Sequence, residues 1–556
     1  MLKEIVARYL ASADMNVVMR LLAEVSQYDR YQASQGINAA ADLLAGVAYD
    51  IGLTTVRIDR FIADGTPRWW TFKAPTAWTP TVARLSAVLD DEAVFELDLA
   101  RQPFSLATYS KPTPSDGLAV RFEILREDTP QETLAGAIVL VSKELFRSAD
   151  LVDRLVSAKA EGFVTDGPCC DTMDGEGAPG RIELGAEAPL FGFSVTSNRL
   201  SELRAAVRRG ATARVQIDID RRAPMPVVHA ILDGDGESEV LLTAHLCHPR
   251  PGANDNASGV AAILGVADAH IRGRRDGTAR SQGRLRFQWG PEFLGTVAQL
   301  HASLEHNAHP LPSSVINLDM VGEDQQICAC PFVLERSPDT IPSRLNDVAE
   351  EVVGAVFEAT GNYPGVWRSA PFLGYSDHAM YVDPKIARPA IQLCHYPDRF
   401  NHSAADTIDK VSVVEMTRAT VAAAAIAEIM TDIGERPFAM GHSTVRATGD
   451  VAQAAGVDGS GGQGTRALTA VWPGPLNLRA MTEALPSHRR TRLLHAIRAD
   501  KYNLALLFNL AIRSDGRRTR AAVVQSVSNA MRRPVDPAQA EELINCLLES
   551  GWIREI

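Results

Sequence analysis

No stretch of these 556 residues is long and apolar enough to span a bilayer. The opening residues, MLKEIVARYLASAD, carry Glu4 and Asp14 and no unbroken apolar run, so they do not read as a secretory leader. Cysteine is scarce. There are seven, an odd number without a repeating interval, and neither Cys169–Cys170 nor Cys328/Cys330 has zinc-finger spacing. That excludes a disulfide scaffold and predicts reduced, mostly buried thiols in a cytoplasmic protein. A surplus of positive charge is missing too: the net charge is −12, which argues against nucleic-acid binding by the chain as a whole. What is present is 46% hydrophobic and 22% charged, the composition of a globular protein, with enough length for several domains.

Taken in order, residues 17–53 carry apolar positions at helical spacing, interrupted by YDRYQASQG at 28–36, with Ser34 and Asn38 as candidate caps and Gly52 as the stop. Thr55–Phe61 and 69–72 alternate like strands. Trp69 and Trp70 read as strand-edge packing rather than a ligand platform. From 99 to 221 the texture changes to β, α, β, loop, β, α, β, which predicts a compact insert with its own core. From 227 to 433 strands and helices alternate as in a doubly wound α/β domain, with strands expected at 240–242, 285–288, 315–318 and 390–393. Residues 435–465 are rich in Gly, Ala, Ser and Thr, and GSGGQG at 459–464 reads as a linker. The last stretch, 466–556, reverses the charge, with Arg489, Arg490, Arg492, Arg517, Arg518, Arg520, Arg532 and Arg533. Three helices are expected there, at 502–511, 520–531 and 536–549, followed by a short strand at 552–556.

Chemistry concentrates after the predicted strands. The stretch LLTAHLCHPRPGANDNASG, 241–259, delivers His245, Cys247, His248 and Asp255 between a buried strand and a helix start. Imidazole and carboxylate presented together suit a divalent cation such as zinc. The competing reading of Asp255 or Asn256 is a helix N-cap. Three later stretches complete a site. RFQWGPEFLGT contributes Glu292, INLDMVGED contributes Asp319 and Glu323, and CHYPDRFNHSAADT contributes Tyr396 and His402. GYSDHAMY adds Tyr375, Asp377 and His378. Each follows a predicted strand, and open α/β sheets bind ligands at the carboxyl ends of their strands.

In this order the stretches resemble the zinc aminopeptidase and glutamate-carboxypeptidase superfamily. The likeness runs from about residue 28 to 433. It implies an α/β core around a mixed sheet and one or two zinc ions. His245, Asp255 in the bridging position, Asp319 and His402 would be ligands, and Glu292 the catalytic carboxylate near the metal-bound water. The insert resembles a protease-associated domain and the tail a winged-helix module. The implied division is 1–98 with 222–434 as catalytic core, 99–221 as insert, 435–465 as linker and 466–556 as tail. Two departures stand out. Cys247 replaces the aspartate that orients the first histidine. Pro291–Glu292–Phe293 leaves one carboxylate where the family has adjacent glutamates, a base and a ligand. Glu292 is therefore either base or ligand, with Glu323 or Asp377 as a substitute base. His248, Asp377, His378, Tyr375 and Tyr396 are candidates for support or substrate contact.

The expected activity is hydrolysis of an N-terminal peptide bond or small amide through water activated by the metal. The alternative is a non-hydrolytic peptide- or metabolite-binding protein on the same fold, whose basic tail contacts a partner or DNA. Expected partners are short peptides or aminoacyl amides and no membrane; homo-oligomerisation is left open.

Overall fold

In the computed structural model, the described residues are 2–433, apart from 54, 149, 171, 173, 174, 176, 237 and 279–282, together with 466–556. The predicted linker at 435–465 lies outside them. An eight-stranded sheet organises the chain. Its strands lie in the order Thr55–Phe61, Met225–Leu232, Arg284–Gly290, Glu239–His245, Ser314–Leu318, Ala390–His395, Phe332–Glu335 and Trp367–Ala370. The four central strands, from Arg284–Gly290 to Ala390–His395, run parallel, and antiparallel pairs flank them. The sheet is therefore mixed, as the resemblance implies. Parallel strands deliver their carboxyl ends to one edge, so the loops after His245, Gly290, Leu318 and His395 emerge together.

Side chains alternate between two cores. On Glu239–His245, Val240, Leu242 and Ala244 enter one core and Leu241 the other; Ile316 and Val315 divide in the same way. The first core is covered by helices Leu2–Ser12, Met15–Val25, Gln35–Asp50, Gly259–Arg275, Leu345–Ala359 and Val413–Ile433. The last of these is alanine-rich because helices crowd there. A Cβ on Gly265 would come within 2.5 Å of Val18 and 3.1 Å of Thr420, so three helices meet at a position only glycine fills.

A separate seven-stranded sheet has the order Phe191–Ser194, Gly162–Thr165, Ala137–Val141, Leu118–Ile124, Thr212–Asp220, Thr79–Leu89 and Glu92–Asp98, with a core of its own. Here the expected division is corrected. Thr79–Leu89 and Glu92–Asp98, assigned to the first segment from sequence, pair antiparallel with Thr212–Asp220 and with each other, so the second sheet begins near residue 79 rather than 99. Strand alternation does not reveal which sheet a strand joins. Trp69 and Phe72 sit in a hairpin of two-residue strands, and Trp69 packs edge-on against Phe61 at 5.5 Å.

The tail holds helices Leu478–Glu483, Ser487–Ala499, Tyr502–Ile512, Arg520–Ala530 and Pro537–Glu549, with a small sheet of Ala467–Ala470, Asp515–Thr519 and Ile553–Glu555. It shares a core with the eight-stranded sheet. Leu506, Leu507 and Leu510 belong to the same apolar cluster as Phe372, Met380 and Val382. Asn509 donates to the Phe372 carbonyl, and the buried Arg513 pairs with Asp339. Several tail arginines meet carboxylates within the tail: Arg489 with Glu542 and Glu549, and Arg520 with Glu555.

Candidate metal centre

His245 is the last residue of its strand, and the polypeptide turns at once into the 246–258 loop. That loop is held from both sides. Arg30, from the YDRYQASQG stretch, is fully buried and spends its guanidinium on the carbonyls of Val25, Leu246 and Gly252. The backbones of Arg30 and His248 exchange two hydrogen bonds, 2.9 and 2.8 Å. From the other side, Asp406 accepts the backbone N–H groups of Asn254 and Asp255 at 2.7 and 2.9 Å. Asp406 therefore shapes the loop that presents Asp255.

The asparagines beside Asp255 tie that loop to the end of the neighbouring strand. Asn256 donates to the Leu318 carbonyl and accepts from Met320 and from Gly259 at the helix start. Asn254 accepts from Gly322 and Ser258 accepts from Val321. A Cβ on Gly259 would lie 2.2 Å from the Leu318 oxygen, which explains glycine there. The capping reading thus holds for Asn256, while Asp255 is left free to face inward.

Among the described residues, two groups of histidine and aspartate place their ligand atoms within 4.8 Å of one another: His245, Asp255 and Asp319, and His248, Asp255 and His402. His245 Nε2 is 3.2 Å from Asp255 Oδ1 and 3.1 Å from Asp319 Oδ1. Asp255 Oδ2 is 3.3 Å from His248 Nε2 and 3.2 Å from His402 Nε2. Asp255 is common to both groups. The four side chains named as candidate ligands come together, and His248, a candidate for support or substrate contact, lies with them.

The donor set fits a divalent cation on three observations. His245 Nδ1 donates to the Cys247 carbonyl and His248 Nδ1 to the Pro249 carbonyl, which turns both Nε2 atoms toward carboxylate. Burial lowers His248 to a pKa of about 4, despite the opposing pull of Asp255, so no proton bridges that pair at neutral pH. His248 Nε2 and Asp255 Oδ1 are buried without a hydrogen-bond partner. Burial works against a proton on His245, but Asp319, Glu292 and Asp255 outweigh it and hold that imidazole charged well above its ordinary range.

Glu292 faces the same cavity of about 250 Å³, with His245, Asp255, Asp319 and His402. Burial pushes its pKa up to about 8, and Asp319, Asp377 and Asp255 add to that rise against His245. Its backbone N–H donates to Cys247 Sγ at 3.1 Å, so Cys247 orients His245 through its carbonyl and fixes Glu292 through its thiol. The next residue, Phe293, has φ +58° and ψ −55°, and Leu294 N–H bonds the Glu292 carbonyl at 2.6 Å. This γ-turn is a rare, strained conformation for a large side chain. Asp377 holds it by accepting Phe293 N–H at 2.7 Å.

The remaining candidates lie further out. Glu323 is buried against Asn254 and Cys330, away from the cavity lining, and burial with Asp398 pushes it up to about 12, so it is not a second base. His378 pairs with Glu335 at 2.6 Å and does not reach the histidine–aspartate groups. Tyr375 and Tyr396 line the cavity, and so does Arg181 from the second sheet's domain. Sequence reasoning does not single out Arg30 as a group that holds the ligand loop, and it reads Asn256 only as a helix cap. The density of Asn, Asp and Arg around a strand end was the available signal.

Residues 227–427 match the model of peptidase family M28. This part of the chain is an M28 peptidase domain. The M28 domain contains every residue of the two histidine–aspartate groups and Glu292. A curated protein of Clostridium acetobutylicum, described as a candidate polysaccharide biosynthesis protein with an aminopeptidase-like domain, is 30% identical over 113 residues. That match spans 20% of this chain and 23% of the relative. Among solved structures, a candidate peptidase from Clostridium acetobutylicum aligns over 100% of both chains at 15% identity, TM-score 0.56. A zinc aminopeptidase from Bacillus subtilis aligns over 74% of this chain and 94% of its own at 16% identity, TM-score 0.53. A peptidase M28 precursor from Shewanella amazonensis aligns over 77% and 96% at 16% identity, TM-score 0.52. At these identities the three structures establish the M28 domain's fold.

Proposed function

We propose that this protein is a zinc-dependent aminopeptidase-like hydrolase that cleaves a short peptide or small amide. One observation carries the reading: two three-residue groups of imidazole and carboxylate, buried except for the exposed His402, meet on Asp255 beside Glu292. His245, Asp255 and Asp319 would hold one ion, and His248, Asp255 and His402 a second. His248 would then take the place of the carboxylate that Phe293 lacks, which leaves Glu292 free to act as base. When bound, the ions supply Lewis acidity toward the scissile carbonyl and lower the pKa of water. Glu292 accepts the proton of the attacking water and returns it to the leaving amine, a task matched to a carboxyl whose affinity for protons burial has raised. Cys247 and Asp377 keep that carboxyl in place from either side. Arg181 and the tail wall the cavity, which favours short substrates. The zinc aminopeptidase of Bacillus subtilis supports both the metal and the exopeptidase reading.

The test is metal content together with hydrolysis of aminoacyl amides, with and without chelator, for the native chain and Glu292→Gln. The reading expects bound zinc, chelator-sensitive turnover, and a loss of about 10²- to 10⁴-fold in Glu292→Gln with the metal retained. A chain that binds no zinc and cleaves nothing, or a Glu292→Gln variant with native turnover, contradicts it.

A further inference from the structure

The cavity over the candidate metal centre is anionic at its floor and cationic at its mouth. Asp255, Glu292, Asp319 and Glu335 line the deep part, and Arg368 and Lys501 line the exposed part. The two cations come from distant parts of the chain. Arg368 lies on the edge strand Trp367–Ala370 of the catalytic sheet, and Lys501 begins the tail helix Tyr502–Ile512. Tyr396 joins them. Arg368 donates to its carbonyl at 3.3 Å, and the Lys501 ammonium sits 5.6 Å over its ring. The Tyr375 hydroxyl donates to the Lys501 carbonyl at 2.8 Å and so fixes the tail against the cavity wall.

Neither cation has a carboxylate within salt-bridge distance among the described residues. Arg181, the third cation lining the cavity, is paired with Glu183 at 2.7 Å. Glu335, the one lining carboxylate outside the candidate metal centre and its base, is already engaged: its Oε1 receives Leu373 N–H, Gly374 N–H and His378. With two divalent ions on the floor, the four lining carboxylates are formally balanced. The unmatched charge is then that of Arg368 and Lys501, held on a tyrosine pair whose rings lie 6.2 Å apart. A guanidinium and an ammonium converging on one mouth are complementary to a carboxylate.

We propose that Arg368 and Lys501 form an anion subsite that reads a carboxylate on the substrate, so that the tail completes the substrate-binding cavity. The substrate is then a short peptide or aminoacyl amide carrying a carboxylate away from the bond that is cut. This rests on the hydrolase reading above, and the experiment separates the two.

Full-length zinc-loaded protein is assayed with leucyl-glycine, leucyl-glycinamide and leucyl-aspartamide, in the native chain, Arg368→Ala, Lys501→Ala and the double variant. The subsite predicts that kcat/KM for at least one carboxylate-bearing substrate exceeds that for the neutral amide by about tenfold or more, mainly through KM. A preference for leucyl-glycine assigns the terminal carboxylate, and a preference for leucyl-aspartamide the side-chain carboxylate. In the double variant the ratio falls to about 1. A merely structural role for these residues would lower all three substrates alike and leave the ratio standing, which overturns the subsite. So does a native enzyme that prefers the neutral amide. If nothing is cleaved, the hydrolase reading fails. The subsite is then judged by calorimetric binding of the same three compounds to zinc-loaded Glu292→Gln with and without the double substitution, against the same predicted ratio.

Discussion

His248 Nε2 lies 3.3 Å from Asp255 Oδ2, and each offers a lone pair to the other. With His248 Nδ1 committed to the Pro249 carbonyl and the ring neutral above about pH 4, nothing in the protein itself makes that contact favourable. A cation between them does. His248→Ala is expected to reduce bound zinc from two ions per chain to one while leaving the His245 group loaded. Elemental analysis after gel filtration checks this. Unchanged stoichiometry in the variant would falsify the assignment of His248 as a ligand.

The strained turn at Phe293 predicts a split between binding and turnover. Asp377→Ala removes the acceptor of Phe293 N–H and frees Glu292 to drift. A displacement on the order of 1 Å costs about 100-fold in rate. The expected result is a fall of that size in kcat with zinc content and KM little changed. A proportionate loss of zinc would place Asp377 among the ligands instead.

Zinc uptake should release protons. Asp319 and Asp255 favour a proton on His245, and burial raises the hold of Glu292 on its own proton to about pH 8. The ion requires the His245 lone pair, so the proton must leave, and affinity weakens as pH falls. Titration calorimetry in two buffers of different ionisation enthalpy should show release of at least about one proton per chain at pH 7. Zero release is the contrary result.

How much of this was legible from sequence varies by region. The four parallel strands are short apolar runs bounded by polar residues, and their carboxyl ends emerge together at one edge of the sheet. His245, Asp255, Asp319 and His402 are singled out by the family resemblance of the stretches that follow those strands. His248 reads as support or substrate contact: an imidazole in a loop is usually satisfied by a hydrogen bond, and its role depends on the Arg30 backbone, more than two hundred positions away, holding the loop. The glutamate missing at Phe293 reads as leaving Glu292 base or ligand, with Glu323 or Asp377 as a substitute base, rather than as calling for another ligand. In the tail, Ser487–Ala499 escaped notice because SHRRTRLLHAIRA is too polar to show an apolar stripe, and the Asp515–Thr519 strand, DGRRT, has no alternation to read.

Asp383 gives a pH-dependent stability test remote from the centre. Burial raises its pKa from 3.8 to about 6, although Lys385 and its backbone N–H oppose the rise. Because the folded state binds the proton more tightly, this stabilisation is full below pH 3.8 and is lost as pH rises through about 6. Asn keeps the acceptor for Lys385 N–H without the charge. Asp383→Asn should therefore stabilise the protein at pH 7 by up to about 3 kcal/mol and have little effect at pH 4, as read by denaturant unfolding. An equal effect at both pH values would contradict the linkage.

Leu507 tests whether the tail and the M28 domain share a core. It is fully buried in the cluster that also contains Phe372 and Met380. Leu507→Ala should cost about 2–5 kcal/mol and lower one common unfolding transition in calorimetry. A separate early transition confined to the tail would show that the two unfold independently.

The most direct measurement is anomalous diffraction at the zinc edge from crystals of the zinc-loaded full-length protein. Two peaks are expected on either side of the Asp255 carboxylate, one within coordinating distance of His245 and Asp319 and the other of His248 and His402, with Glu292 beside them and bonded to neither ion. A single peak that Glu292 coordinates, or none at these side chains, would contradict the shared-aspartate centre.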